Sequence, residues 1–291
     1  MSTKIEWTHR PGTIGESWNF IGGCWPVSEG CANCWAARHA ATRLRHHALY
    51  EGVAEMRNGK PVWTGKINID EARIEKPLHW REPRTIFVCS MSDIAHVPFE
   101  LLFRVFDVMA RTQQHTYLIL TKCPQVLILA VKDWLLRRIA EPLSNVALGI
   151  STENQRRFDE RWPVLRQCPA KVYFVSVEPC LGPVILPESF LALGRHAWCI
   201  TGGESGPEAR PMHPDWPRGL RDKSVQASVP FFYKQTGEWA ELGSEIAAPS
   251  GNITQLPQVD FADGTVMVRI GKKAAGRLLD GQEWNEWPEF G

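Results

Sequence analysis

From Thr85 onward, apolar residues fall into short unbroken runs separated by longer stretches of helical period. The runs are Thr85–Cys89, Thr116–Leu120, Val146–Ile150, Lys171–Val175, Ala197–Ile200 and Val229–Tyr233. A run without polar alternation is a strand covered on both faces, which is the pattern of a parallel sheet. Between the runs, Pro98–Arg111 sets Leu101, Leu102, Val105, Phe106, Val108 and Met109 at helical spacing, and Gln125–Glu141 and Glu153–Arg166 follow the same rule. Repeated strand–helix units of this length predict an α/β chain built as a partial (β/α) barrel, TIM-type but incomplete. A short strand before Cys24 joins the six. A helix is expected from Ala36 to Leu49, and a small hairpin or extended insert over Gly59–Asn68. Residues 1–237 are assigned to the barrel. The tail 238–291, rich in Gly, Pro and Trp, is expected to pack on it as an extension.

Composition narrows the class. The 291 residues are 44% hydrophobic and 22% charged, the balance of a globular protein. A net charge of +1 gives no global field toward nucleic acid or membrane. No apolar run approaches the length of a membrane span, and the N-terminus lacks the pattern of a signal peptide. These features predict a cytoplasmic protein that works without a membrane and keeps its thiols reduced. The eight cysteines are then ligands or buried thiols rather than a disulfide framework. The thirteen tryptophans are read mainly as packing residues.

Three of those cysteines lie within eleven residues: Cys24, Cys31 and Cys34, in a C-x6-C-x2-C pattern. Three thiolates on one loop can hold three corners of a [4Fe-4S] cluster and leave the fourth iron open to a ligand. An open iron is a site for chemistry, so the pattern points to an enzyme. The competing reading adds His39 to make a closed Cys3His zinc site in a nucleic-acid-binding module without catalysis.

The residues just past the strands supply the second half of the candidate site. In a parallel barrel they share one face. Here they read Ser90-Met-Ser92-Asp93, Thr121-Lys122, Ser151-Thr-Glu153-Asn154, Ser176-Val-Glu178-Pro-Cys180, Gly202-Gly203-Glu204 and Lys234-Gln235. Six polar endings in succession exceed what helix capping requires. Paired glycines admit a ligand to the backbone, and Glu204 can accept hydrogen bonds from an ammonium group. With the cysteine loop, this set suggests S-adenosylmethionine. Asp93, Glu153 or Asn154 is expected to bind its ribose hydroxyls and Lys122 or Lys234 to pair with its carboxylate, with Ser90, Ser92 and Ser151 in the same polar ring. Lys122, Glu178 and Cys180 are the candidate catalytic groups, with the Cys180 thiol placed to donate a hydrogen atom to a substrate radical.

The motifs together resemble a known family. WNFIGGC at Trp18, SEGCANCWA at Ser28, SMSD at Ser90, LTK at Leu120, GISTENQ at Gly149, SVEP at Ser176, GGESGPEARPMHPDW at Gly202, FFYKQTGEW at Phe231 and GKKAAGRLLDG at Gly271 are similar to the phage three-cysteine-motif proteins, a family filed under an uncharacterised-domain label. The likeness covers almost the whole chain. It implies a radical S-adenosylmethionine enzyme whose cysteine spacing differs from the commoner C-x3-C-x2-C. It further implies a phage setting, in the host cytoplasm, with DNA or a modified nucleoside as substrate and a reductase or flavodoxin-type protein as electron donor. The reaction implied is isomerisation of a glycine-modified thymidine in hypermodified DNA, which evades host restriction. A radical enzyme acting on RNA or free nucleotides is the variant reading.

Overall fold

Seven strands form one sheet in chain order: Ile14–Trp18, Arg84–Val88, Thr116–Thr121, Val146–Ser151, Val172–Val177, Ala197–Thr201 and Phe231–Tyr233. The computed structural model describes residues 3–244 and 255–290. Parallel pairing joins the first four strands in turn, and joins Ala197–Thr201 to Phe231–Tyr233. The inner strands Val146–Ser151 and Val172–Val177 are buried at every residue, as the unbroken apolar runs require. The helices Phe99–Arg111, Pro124–Arg138, Gln155–Leu165 and Asp215–Gln226 follow strands in the strand–helix repeat. The fold class expected from the sequence, an α/β partial (β/α) barrel, is the fold found, with seven strands in place of eight.

The chain divides into two compact units. One holds Met1–Ile150, Glu160–Tyr173 and Phe290–Gly291; the other holds Ser151–Asp159 and Phe174–Glu289. In the first unit, Phe99–Arg111 buries Leu102, Val105, Phe106, Val108 and Met109. Its Asp107 accepts hydrogen bonds from Trp134 Nε1 at 2.9 Å and Arg138 Nε at 3.0 Å, which ties it to Pro124–Arg138.

The segment 35–66 folds differently from its sequence pattern in two respects. The helix expected to Leu49 spans Trp35–Ala41 and gives way to turns. The hairpin pairs Ala54–Arg57 with Lys60–Trp63, so its turn is Asn58-Gly59 rather than a feature of Gly59–Asn68. Both turn residues have positive φ, 48° and 75°, as an Asn-Gly hairpin turn demands. Helix and hairpin share a small core of Ala36, Ala40, Ala41, Leu49, Tyr50, Val53, Ala54 and Met91, against which Cys34 packs.

In the second unit the tail forms an antiparallel sheet of Trp239–Glu241, Val266–Arg269 and Gln258–Asp260. Its last stretch then lies along the edge strand: Tyr233 N–H donates to Trp284 O at 3.0 Å, and Phe231 N–H to Glu286 Oε2 at 2.9 Å. Residues 245–254 of the expected tail lie outside the described residues. Among the described residues, no helix is long and apolar enough to cross a membrane.

Candidate functional site

The cysteine loop enters through a two-residue ladder. Ile21 and Gly22 pair with Ile69 and Asn68. Gly23 then turns with φ +98°, and a Cβ there would stand 2.2 Å from the Lys66 carbonyl oxygen. Three separate local structures carry the three thiols. Cys24 leaves the glycine turn. Cys31 ends the 3-10 turn Glu29–Cys31, with its sulfur 3.8 Å from Ser28 Oγ. Cys34 stands at the N-cap of Trp35–Ala41.

The thiols gather without bonding to one another. All eight cysteines of the chain are free, and the three of the loop are partly exposed whereas Cys89, Cys168, Cys180 and Cys199 are buried. Burial raises the Cys24 pKa most, followed by Asp93, Cys34 and Cys31, while Lys122 opposes the shift. Burial likewise raises Cys34; the Ala37 and Ala36 amides and Lys122 favour its thiolate, although neither amide closes a cap hydrogen bond of normal geometry. Cys123, just past Lys122, joins the same field. Burial, Asp93 and Cys31 push its pKa up to about 11, against Arg161 and Lys122.

Spacing separates a cluster from a single ion. Tetrahedral zinc holds thiolate sulfurs about 3.8 Å apart. Among the described residues, the one trio of His, Cys, Asp or Glu ligand atoms within 4.8 Å of one another is His213, Asp215 and Asp263, and the loop cysteines form no such trio. The histidine that reaches a loop cysteine is His96, with Nε2 3.5 Å from Cys24 Sγ, whereas His39 sets its ring against Trp35. Three soft thiols on one loop, not all within 4.8 Å of one another and beside the cation Lys122, are a donor set that suits an iron–sulfur cluster.

The raised thiol pKa values carry a pH prediction. Ligation needs thiolates, so loading releases protons from groups that are protonated at neutral pH. Apparent iron affinity of the apoprotein rises with pH, by up to about tenfold per unit for each proton released. Anaerobic iron–sulfide titrations at pH 7, 8 and 9 check this; affinity that is flat or falls across that range contradicts it.

Residues assigned from the sequence form two sets, one in each unit. In the first, Asp93 is buried and its carboxylate accepts from Thr121 Oγ1 at 2.6 Å, Lys122 N at 2.8 Å and Ala95 N at 3.0 Å. Ser90 exchanges hydrogen bonds with the Asn19 side chain, at 3.1 and 3.2 Å. Ser92 Oγ donates to the Gly23 carbonyl and so fixes the approach to Cys24.

In the second unit, Lys234 Nζ lies 3.0 Å from Glu178 Oε1, and Ser176 Oγ donates to Glu178 Oε2 at 3.1 Å. The Glu204 carboxylate holds Arg210 through Nη2 at 2.6 Å and Nε at 2.9 Å, and also accepts the Arg210 amide at 2.8 Å. Its charge is therefore matched by a guanidinium inside the protein. Gly202 and Gly203 serve the backbone crossing. A Cβ on Gly203 would meet the Thr236 carbonyl oxygen at 2.0 Å, and one on Gly202 would meet Glu178 Oε1 at 3.0 Å. Glu153 is fully buried, Ser151 is buried, and Asn154 Oδ1 accepts from Arg157 N at 3.1 Å at the start of Gln155–Leu165. The Cys180 thiol is buried and reaches the Gly182 carbonyl at 3.6 Å; burial pushes its pKa up to about 12, which keeps it a thiol at neutral pH.

Gln235, one of the polar strand endings, is given no separate role by the sequence. Its Nε2 donates to Gly203 O at 2.9 Å, and its buried Oε1 has no hydrogen-bond partner. A buried acceptor without a partner is a polar cost that the local packing has to carry.

Residues 2–288 match the family described as "Protein of unknown function (DUF5131)". The chain belongs to that family. No curated protein matches it. Among solved structures, a mutant of spore photoproduct lyase aligns with 94% of this chain and 73% of its own, at 12% identity and a TM-score of 0.43. A score that low carries no weight for the fold or chemistry of this DUF5131 member.

Proposed function

We propose that this DUF5131 protein is a radical S-adenosylmethionine enzyme, with a [4Fe-4S] cluster on Cys24, Cys31 and Cys34. The observation that carries the reading is the cysteine loop: three free, partly exposed thiols held by three local structures, sharing one electrostatic field and not closed to single-ion spacing. Cys24, Cys31 and Cys34 would hold such a cluster, which, reduced by an external electron donor, would supply one-electron reductive cleavage of the sulfonium C–S bond of S-adenosylmethionine with methionine as the leaving group. The chain's own part is to hold and orient. Lys122 lends positive charge to the thiolates. In the other unit, Lys234 with Glu178 forms a paired, partly buried charge.

The test is direct. Protein reconstituted anaerobically, reduced and mixed with S-adenosylmethionine yields 5′-deoxyadenosine by mass spectrometry. A colourless protein that keeps one zinc per chain and makes none sinks the reading.

DNA is the proposed substrate, with a glycine-bearing thymidine isomerised in it and a flavodoxin-type electron donor. The segment after Cys34 supports a nucleic acid. Trp35–Ala41 buries Ala36, Ala37, Ala40 and Ala41, and its other face presents Trp35, Arg38 and His39, continued by Thr42 and Arg43. Residues 35–66 carry six Lys and Arg against two Glu, in a chain of net charge +1. Arg38, Arg43, Arg45 and Lys60 have no carboxylate partner among the described residues. An exposed tryptophan beside unpaired arginines suits a base and its phosphates. The double substitution Arg38→Glu with Arg43→Glu is expected to weaken binding of a single-stranded oligonucleotide at least about tenfold and to flatten its salt dependence. Fluorescence anisotropy at several salt concentrations measures both, and unchanged affinity and slope remove the support for DNA.

A further inference from the structure

The residue after Cys24 is a tryptophan that is 49% exposed and yet held in place. The Trp25 indole N–H donates to Gly65 O at 3.2 Å, its ring stands 4.6 Å from the His96 ring between centroids, and its backbone N–H donates to His96 Nε2 at 3.4 Å. His96 is fixed in turn. It ends the short turn Ile94–His96, which Asp93 caps, and the Asp93 carboxylate also binds Thr121 Oγ1 and Lys122 N. The one polar atom of the indole is satisfied within the protein, so the surface left open to solvent is bare aromatic carbon. A ring already fixed loses little further entropy when a flat partner packs on it.

The seat of the ring belongs to the basic segment. Gly65 lies in the stretch 35–66, where Arg38, Arg43, Arg45, Arg57, Lys60 and Lys66 stand against Glu51 and Glu55. Arg57 pairs with Glu55, and Lys66 Nζ donates to the backbone carbonyl of Glu51 at 3.1 Å, which leaves the excess positive. Bare aromatic surface beside excess positive charge is the combination that binds an unpaired nucleic-acid strand: cations track the phosphates and the ring takes the face of a base. We infer that Trp25 is a base-stacking residue, which takes the face of one nucleobase and seats it at the residue next to Cys24. The inference rests on the nucleic-acid reading above and names the side chain that meets the base. Stacking is sequence-tolerant, so Trp25 sets where the base lies rather than which base it is. A base in a duplex has to leave the stack to reach it.

Fluorescence anisotropy of the full-length protein after anaerobic reconstitution tests this with two labelled probes, a single-stranded thymidine oligonucleotide and an abasic strand of equal length. Wild type is expected to bind the base-bearing strand more tightly. Trp25→Ala is expected to weaken that binding at least about fivefold, to leave the abasic strand's affinity unchanged and to keep the salt slope, because a stacked ring neutralises no phosphate. Trp25→Phe is expected to retain most of the affinity: it presents a ring but lacks the N–H that reaches Gly65, so a purely structural role would fail in both variants. If Trp25→Ala does not fold, Trp25→Leu replaces it, filling the seat without an aromatic face. Equal wild-type affinity for the two strands, or equal weakening of both by Trp25→Ala, overturns this inference and leaves the nucleic-acid reading standing. A Trp25→Phe protein as weak as Trp25→Ala does the same. So does a Trp25→Ala protein with unchanged oligonucleotide affinity; if flavodoxin then no longer reduces it, the ring serves a protein partner instead. A wild type that binds neither strand overturns the nucleic-acid reading, and this inference with it.

Discussion

Replacing Cys24, Cys31 or Cys34 singly with alanine yields a folded protein that has lost its iron. Each thiol is only partly buried, so truncation costs stability about 1 kcal/mol or less. On the proposed reading the cluster has three protein ligands and two thiolates cannot retain it, so iron is expected to fall from about four per chain to near zero. Formation of 5′-deoxyadenosine falls to background with it. Cys168→Ala is the matched control: that residue is buried elsewhere, beneath the Tyr173 hydroxyl, which donates to its carbonyl oxygen at 2.6 Å. The control loses more stability than the loop variants and keeps its iron. Iron and sulfide analysis beside thermal unfolding of the apoproteins measures both. A Cys34→Ala protein with full iron content refutes the ligand assignment.

Gly23→Ala is expected to damage both fold and loading without touching a ligand. The residue sits at φ +98°, which L side chains rarely adopt, and its new Cβ would face the Lys66 carbonyl oxygen at 2.2 Å. The obstacle is backbone, so no rotamer relieves it. Left-handed strain and overpacking together cost about 3 kcal/mol or more. The strain relaxes by moving the loop away from Lys66, which breaks the Ser92 contact to the Gly23 carbonyl and shifts Cys24 from His96. Gly59→Ala makes a comparison without a clash: its φ is +75°, but nothing lies within 4 Å of the added carbon. Gly23→Ala should therefore unfold at a clearly lower temperature than Gly59→Ala and bind less iron. Equal melting points and equal iron for the two would show that the close approach to Lys66 is absent in solution.

The two glycine pairs show how far a sequence can be read. Gly22-Gly23 before Cys24 and Gly202-Gly203 before Glu204 look alike as letters, and the second pair reads as room for a ligand. In the structure both make room for the chain itself, against Leu49 and Lys66 in one case and Thr236 in the other. Glu204 read as an acceptor for an ammonium group and is matched by Arg210, six residues on, a pairing that helical or strand period does not announce. Asn58-Gly59 was a readable hairpin signal, and the insert's turn falls there. His96 carried no motif at all. It matters because a turn capped by Asp93 aims it at a residue 72 positions earlier.

By itself the sequence determined the apolar strands, three of the helices between them and the three thiols, because each is written in local periodicity or in spacing along one short loop. Burial on both faces forces apolar runs whatever else the chain does, and three cysteines within eleven residues cannot stray far from one another. Only the tertiary structure decided which polar groups are already satisfied: Asp93 by Thr121 and Lys122, Glu178 by Lys234, Glu204 by Arg210, with Thr152 Oγ1 and Gln235 Oε1 left over. A side chain's chemistry depends on the partner it meets in space, and that partner is fixed when the strands and turns bring distant residues together.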